Sequence, residues 1–296
     1  MRFRLIDEAK THHTVSHMAR ALGVSRAGYH SWRKRPPSTR RTKDLELKSL
    51  IANIHQSSFS IYGAPRIHAE LADAHNIRIG KKRVARLMSE LGIEGISRRG
   101  KRRVKKLTAE MPAAPDLVHR KFQAKRPNEL WLADITYIPT WEGWLFLAVI
   151  VDACTRRCCG WSMRADLKSD IVVDALGMAA TLRNPEPGLI HHSDRGSQYG
   201  SLAFGKTLRD SGIMASMGSR GDAYDNAAAE SFMATIKTEL IHRHRFKTKD
   251  EARLAIFRYI EGFYNPLRRH SALGHKSPAE YERMLEEASA EAVVLS

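Results

Sequence analysis

Apolar positions change period twice along the chain. Residues 14–33 (TVSHMARALGVSRAGYHSWR) put Met18, Ala19 and Leu22 on one helical stripe, bend at Gly23 and offer Ser25 as the cap of a second helix. This predicts a helix-turn-helix whose second helix, about Arg26 to Arg33, enters a major groove; a plain helical hairpin is the alternative. After a basic, Pro-containing break at 33–43, a second helical unit is expected from Asp44 to about Leu91. There Val84, Leu87, Met88 and Leu91 share a face behind Lys81, Lys82, Arg83 and Arg86. Cations at a helix start oppose the helix dipole, so contact with phosphate explains them better than helix stability does.

From Pro127 the period becomes that of strands. NELWLADITYIPT (128–140) and WLFLAVIVDACTR (144–156) read as a hairpin turning at Glu142-Gly143, and RCCGWSM (157–163) as a third strand. A helix over Ser169 to Arg183 follows. Then come a short strand ending at Asp194, a helix, a strand from Ile213 to Met217, and an Ala-rich helix bearing Glu230. Residues alone support an α/β fold with a mixed sheet. Near the end, Ala255, Ile256, Tyr259 and Ile260 stripe one more helix, and residues after about Glu286 read as a short helix or frayed tail.

Charge sharpens this division. Of 296 residues, with a net charge of +17, residues 1–125 hold 28 Lys and Arg against 10 Asp and Glu, leaving the remainder at −1. The front of the chain therefore suits a polyanion, and the rear suits chemistry. Arg98 to Lys106 packs seven basic residues into nine, Arg102 and Arg103 among them, and reads as a phosphate-tracking linker or a solvated charge run. The longest apolar run, Trp144 to Val151, is too short to span a bilayer. Cys154, Cys158 and Cys159 have no CxxC spacing, which fits a reduced, cytoplasmic protein. Without a cysteine before Cys154, a His/Cys zinc domain cannot be built from His12, His13 and His17.

Three acids stand where elements begin, end or are interrupted. Asp134 breaks a strand otherwise fit for a core, where an uncompensated carboxylate is costly. With Asp194 and Glu230 it would form a hard-oxygen set suited to Mg²⁺, and two such ions serve in-line displacement at phosphorus. Asp152 closes a strand and reads as structural, as Asp225 and Asn226 read as helix caps. His191 and His192 fit packing or DNA contact better than Mg²⁺ ligation. Lys237 lies seven residues after Glu230, on the same helix face, and suits a phosphate contact or an exposed lysine.

Fifty-nine residues separate Asp134 from Asp194, and 35 separate Asp194 from Glu230. With ADITYI, HSDRGSQY and YDNAAAESF around them, the chain resembles the DDE transposases and retroviral integrases. More narrowly it resembles the second-frame (OrfB) transposases of the IS3 family, whose tail signature matches YNPLRRHSALGHKSPAEY (264–281). The resemblance implies a ribonuclease-H-like integrase core, residues 127–285, with a C-terminal helical extension and a tail at 286–296. It also implies N-terminal all-α helix-turn-helix units at 1–42 and 43–100, with a basic linker at 101–126. It implies catalysis by Asp134, Asp194 and Glu230 on Mg²⁺ or Mn²⁺, as two ions in the family's manner. It implies DNA contacts at Arg26, Arg33, Arg66, Lys81, Lys82, Arg83, Arg102, Arg103, Lys237, Arg268 and Arg269, the last two on an ordered loop that serves packing as well. Implied partners are the element's terminal repeats and target DNA, a homo-multimer on DNA, and the first-frame (OrfA) product or its fusion, in a bacterial cytoplasm near the nucleoid. Ala64-Pro65 departs from the family's YGxRRI motif. A DNA-binding regulator or a structure-selective nuclease on the same fold are the rival readings.

Overall fold

The computed structural model describes residues 1–36, 38–96, 114–118, 124–218 and 227–294. The expected basic linker with Arg102 and Arg103, and most of the loop after Gly218, lie outside the described residues.

The N-terminal unit has three helices, α1 (Arg2–Ala9), α2 (Val15–Ala21) and α3 (Arg26–Lys34). Thr14 and Ser25 cap the last two through the backbone N–H groups of His17 and Gly28, and Gly23, at φ +61°, makes the turn between them. The pair that periodicity predicts is present. Helix α1 carries no such signal, because RFRLIDEA buries only Ile6, which meets Met18, Ala19 and Tyr29.

Helices α4 (Thr39–Ser57), α5 (Ala64–Asp73) and α6 (Lys81–Glu90) form the second unit. Helix α4 starts inside the stretch that reads as a break, because Ser38 supplies an N-cap to the Arg41 N–H. Ala64-Pro65 opens α5, where a missing N–H costs nothing, so the departure from the family motif is absorbed by the helix start.

The C-terminal half is built on five strands: β1 (Leu130–Thr140), β2 (Gly143–Asp152), β3 (Cys158–Arg164), β4 (Ile190–Ser193) and β5 (Met214–Met217), in the order β3-β2-β1-β4-β5. The first three are antiparallel neighbours, while β4 runs parallel to β1 and β5. Helices α7 (Asp170–Arg183) and α8 (Leu202–Asp210) cover one face over Trp131, Ala133, Ala148 and Ile150. A Cβ on Gly160 would come within 2.3 Å of the Ala175 carbonyl, so the glycine sets how closely α7 approaches β3. The other face, with Ile138, Leu145, Leu147 and Val149, is covered by α9 (Ala227–Glu239) and α10 (Lys249–Tyr259), and shares its core with α4, α5 and α6.

After α10 a π-helical turn, Ile260–Tyr264, leads into the tail loop. Helix α11 (Pro278–Val294) then runs on through the position where the sequence suggests a separate tail. Its Glu282 is buried and accepts from the Thr155 hydroxyl and the Arg157 and Arg183 guanidiniums. Asp152 is fully buried and accepts the backbone N–H groups of Asn128, Cys154 and Thr155, the structural role read for it.

Arg268 and Arg269 serve the packing expected of their loop. Both are buried: Arg268 donates to both oxygens of Glu239 (2.7 and 2.6 Å), and Arg269 pairs with Glu70 and Asp73. Their motif reads as basic surface, yet the acids that claim them lie 29 and nearly 200 residues away in sequence. Arg268→Met should destabilise the fold by about 3–5 kcal/mol in chemical unfolding, because Glu239 stays behind buried. The double change Arg268→Met with Glu239→Leu should cost less than the single one.

His191 is buried on β4, with its ring edge-on to Phe204, and burial holds its pKa down at about 4. An unfolded histidine titrates near 6.5, so between those values the unfolded chain binds more protons. Stability from this residue is full above pH 6.5 and is lost as pH falls toward 4, by up to roughly 3 kcal/mol. His191→Phe should flatten the pH dependence of unfolding in that window.

Candidate functional site

Asp134 sits mid-strand on β1, opposite Val149 of β2, half-buried, with its Oδ1 accepting from the Ile135 N–H at 2.8 Å. Asp194 directly follows β4 and is exposed; its Oδ1 accepts from the Gly196 N–H at 3.1 Å, which fixes the turn leaving the strand. Strands β1 and β4 are parallel with Leu132 opposite His192, and each aspartate lies two residues past that pair. The topology thus puts two carboxylates just past the paired stretch of adjacent parallel strands, one midway along β1 and one at the C-terminal end of β4.

Burial pushes the Tyr199 hydroxyl well above the usual phenol range, and the negative charges of Asp134 and Asp194 push it further. The hydroxyl is buried with no hydrogen-bond partner among the described residues. Arg195, next to Asp194, is turned away and donates to the Gly218 carbonyl at 2.8 Å.

Glu230 is exposed in the first turn of α9, where the helix dipole favours an acid. The helix is held to the sheet by Ala229, Phe232, Met233 and Ile236, all buried. Among the described residues no three His, Cys, Asp or Glu side chains are grouped closely enough to hold a metal ion. The structure therefore sets Asp134 and Asp194 at matching positions on adjacent strands and does not gather Glu230 with them.

The predicted DNA contacts divide by surroundings. Arg26, Lys81 and Lys82 are exposed, and Arg33, also exposed, makes a long approach of 3.9 Å to Asp7. Arg83 is engaged by Asp44 at 2.8 and 2.6 Å, so its place at the start of α6 serves packing onto α4. Arg66 stands 3.6 Å from Glu239 and over the Tyr62 ring. Lys237 lies over the Tyr137 ring, 5.7 Å from its centroid. Sequence reasoning misses Glu239, the acid that holds Arg268 and Arg66, since nothing local separates it from a solvent-facing helix glutamate. It also misses Tyr199, whose only signal is its place in the HSDRGSQY stretch.

No helix among the described residues is long and apolar enough to cross a membrane. The family described as "Integrase core domain" matches residues 124–223, a second family of that description matches 211–278, and "HTH-like domain" matches 42–107. Among curated proteins, the uncharacterized 31 kDa protein of insertion element IS600 from Shigella sonnei is 40% identical over 264 residues, 89% of this chain and 97% of the relative. The transposase for IS629 from the same organism is 36% identical, covering 94% of this chain and 95% of the relative. Transposase InsF for IS3A of Escherichia coli K12 is 35% identical, covering 95% and 98%. Among solved structures, a simian T-cell lymphotropic virus intasome with a PP2A regulatory subunit aligns at 15% identity and a TM-score of 0.46, over 78% of this chain and 74% of that one. The HTLV-2 integrase catalytic core with magnesium aligns at 19% and 0.40, over 53% and 97%. With relatives more than a third identical over nearly its whole length, the chain belongs to the IS3 family of insertion-sequence transposases, integrase-core polynucleotidyl transferases that act in DNA transposition.

Proposed function

We propose that the chain cuts DNA at the ends of its insertion sequence and joins the exposed 3′-hydroxyl to a target phosphodiester, using Asp134, Asp194 and Glu230. The observation that carries this reading is the placing of the two aspartates past the aligned pair Leu132 and His192 on parallel strands, both acting on Tyr199. The donor chemistry fits a hard divalent ion: carboxylate oxygens, beside a buried hydroxyl lacking a partner among the described residues. Mg²⁺ or Mn²⁺, as two ions, would be held by the three acids and would supply an activated oxygen nucleophile and charge neutralisation at phosphorus. Bringing Glu230 to the aspartates is part of the proposal.

The chain's own residues do the positioning. The Gly196 N–H orients Asp194, the Ile135 N–H orients Asp134, and the sheet holds both strands in register. Water would attack in cleavage and the 3′-hydroxyl in joining, without a covalent enzyme intermediate. Lys237 and the exposed cations of α3 and α6 would meet phosphate. Further partners in this reading are a second copy on paired ends and the first-frame product, in the bacterial cytoplasm.

On a labelled duplex carrying the element's ends, Asp194→Asn and Glu230→Gln should each lose metal-dependent nicking and joining by more than about a hundredfold, beyond what a merely supporting residue costs. Duplex affinity should stay within severalfold. Joining that survives either change removes that acid from the site. Nicking without joining in the unaltered chain favours the nuclease reading, and binding without either product favours the regulator reading.

Lys81→Gln with Lys82→Gln should weaken duplex binding at all sequences and lower the slope of log affinity against log salt by roughly two, about one for each phosphate no longer neutralised. An unchanged slope would place the DNA elsewhere.

A further inference from the structure

We propose that the tip of the β1–β2 hairpin, with the basic segment 245–249 beside it, is a second nucleic-acid surface that stacks unpaired bases of a single DNA strand. Three large rings stand out from this tip: Tyr137, Trp141 and Trp144 are 58%, 72% and 52% exposed. Tyr137 and Trp144 meet edge to face, 4.9 Å between centroids. Grouped exposed rings mark a binding surface, whereas single ones carry no such meaning.

Cations accompany the rings. The Lys247 ammonium lies 5.8 Å from the Trp141 centroid, and Lys237, from α9, lies 5.7 Å from that of Tyr137. The basic segment is fastened to the tip: the Trp141 N–H donates to the Phe246 carbonyl at 3.1 Å, and Thr140 bridges Phe246. Arg245 and Lys247 are exposed within it, and Lys249 is half-exposed. The nearby acids are Glu142, Asp250 and Glu251. Glu142 accepts from the Lys249 N–H and Glu251 from the Lys247 N–H, so backbone groups satisfy part of their charge. A protein-binding core would be depleted in charge around its aromatics. Rings set among lysines and arginine instead match a strand with a phosphate backbone and open base faces, since bases within a duplex are already stacked on each other.

The place along β1 fits the same occupant. Strand β4 pairs β1 only through Leu130–Leu132, so the β1 edge beyond Asp134 has no β4 partner, and Lys237 reaches Tyr137 there. Tyr137 and Trp144, the latter opposite Pro139, share one face of the hairpin, so their rings form a single stacking surface. The inference rests on the transposase reading only for calling the strand DNA from an element end.

The test titrates the full chain with fluorescein-labelled dT20, and separately with a duplex of the element's end, by anisotropy. Trp141→Ala with Trp144→Ala should bind dT20 at least about tenfold more weakly, given about fivefold or more per stacked ring, with duplex affinity unchanged within about twofold. Trp141→Phe with Trp144→Phe should keep dT20 binding within about threefold, because a flat ring remains; circular dichroism confirms that both variants are folded. Equal dT20 affinity in the alanine variant, or equal loss toward dT20 and duplex, overturns the proposal. So does a dT20 affinity that tracks only a change of mass in light scattering, which makes the rings a contact between copies. Failure of the transposase reading is separate: it shows as absent metal-dependent products while ring-dependent dT20 binding persists.

Discussion

Glu239 is the constraint on which the arrangement of the molecule turns. Its carboxylate is 3% exposed, and burial alone would push its pKa up, but hydrogen bonds and charge from Arg268, with the Tyr259 hydroxyl and Arg66, outweigh burial and hold it down. A buried charge without such partners costs several kcal/mol, so the four groups stand or fall together. They come from four places: α9, the loop after the π-helical turn, α10 and α5. Satisfying one carboxylate thereby anchors the C-terminal end of α9, the helix whose first turn presents Glu230, against both the tail and the second helical unit.

A neighbouring set of bonds extends the same seam. The Tyr62 hydroxyl donates to the Leu267 carbonyl and accepts from the Arg269 N–H, while the Arg269 side chain reaches Glu70, Asp73 and the His275 carbonyl. Beneath these, Ile67, Leu71, Val84 and Leu87 share a core with Phe232, Ile236 and Phe263. The helices expected only to bind DNA are thus also a wall of the catalytic half. In the proposed reaction, such a shared core would lend precision, because the positioning contacts and the reacting groups would move as neighbours.

Periodicity is enough for what is local. The hairpin turning at Glu142-Gly143, the capped α3 and the strands holding Asp134 and preceding Asp194 all follow from residues within a few positions of each other. Long-range pairing is not legible in this way. Arg268 and Arg269 look in sequence like a basic loop offered to DNA, and only the fold reveals that acids 29 and nearly 200 residues away neutralise them. Arg83 misleads for the same reason, Asp44 being 39 positions away. The site divides on this line as well: parallel pairing of β1 with β4 sets Asp134 and Asp194 at matching positions, while the grouping of Glu230 with them comes from resemblance and stays a proposal.

The corner holding Asp134 and Asp194 departs from the way the fold treats its buried acids. Two carboxylates of like charge lie near a buried tyrosine hydroxyl without a partner among the described residues, an arrangement that costs stability on both counts. Three buried acids elsewhere are enclosed among donors: Asp152 takes three backbone N–H groups, Glu282 two arginines and a hydroxyl, and Glu239 two arginines and a hydroxyl. Asp194 instead stands exposed beside β4, one oxygen oriented by the Gly196 N–H, while the guanidinium of its neighbour Arg195 is committed to the Gly218 carbonyl. Orientation without enclosure leaves a carboxylate that a hard cation from solution can reach, as the proposed phosphoryl transfer requires.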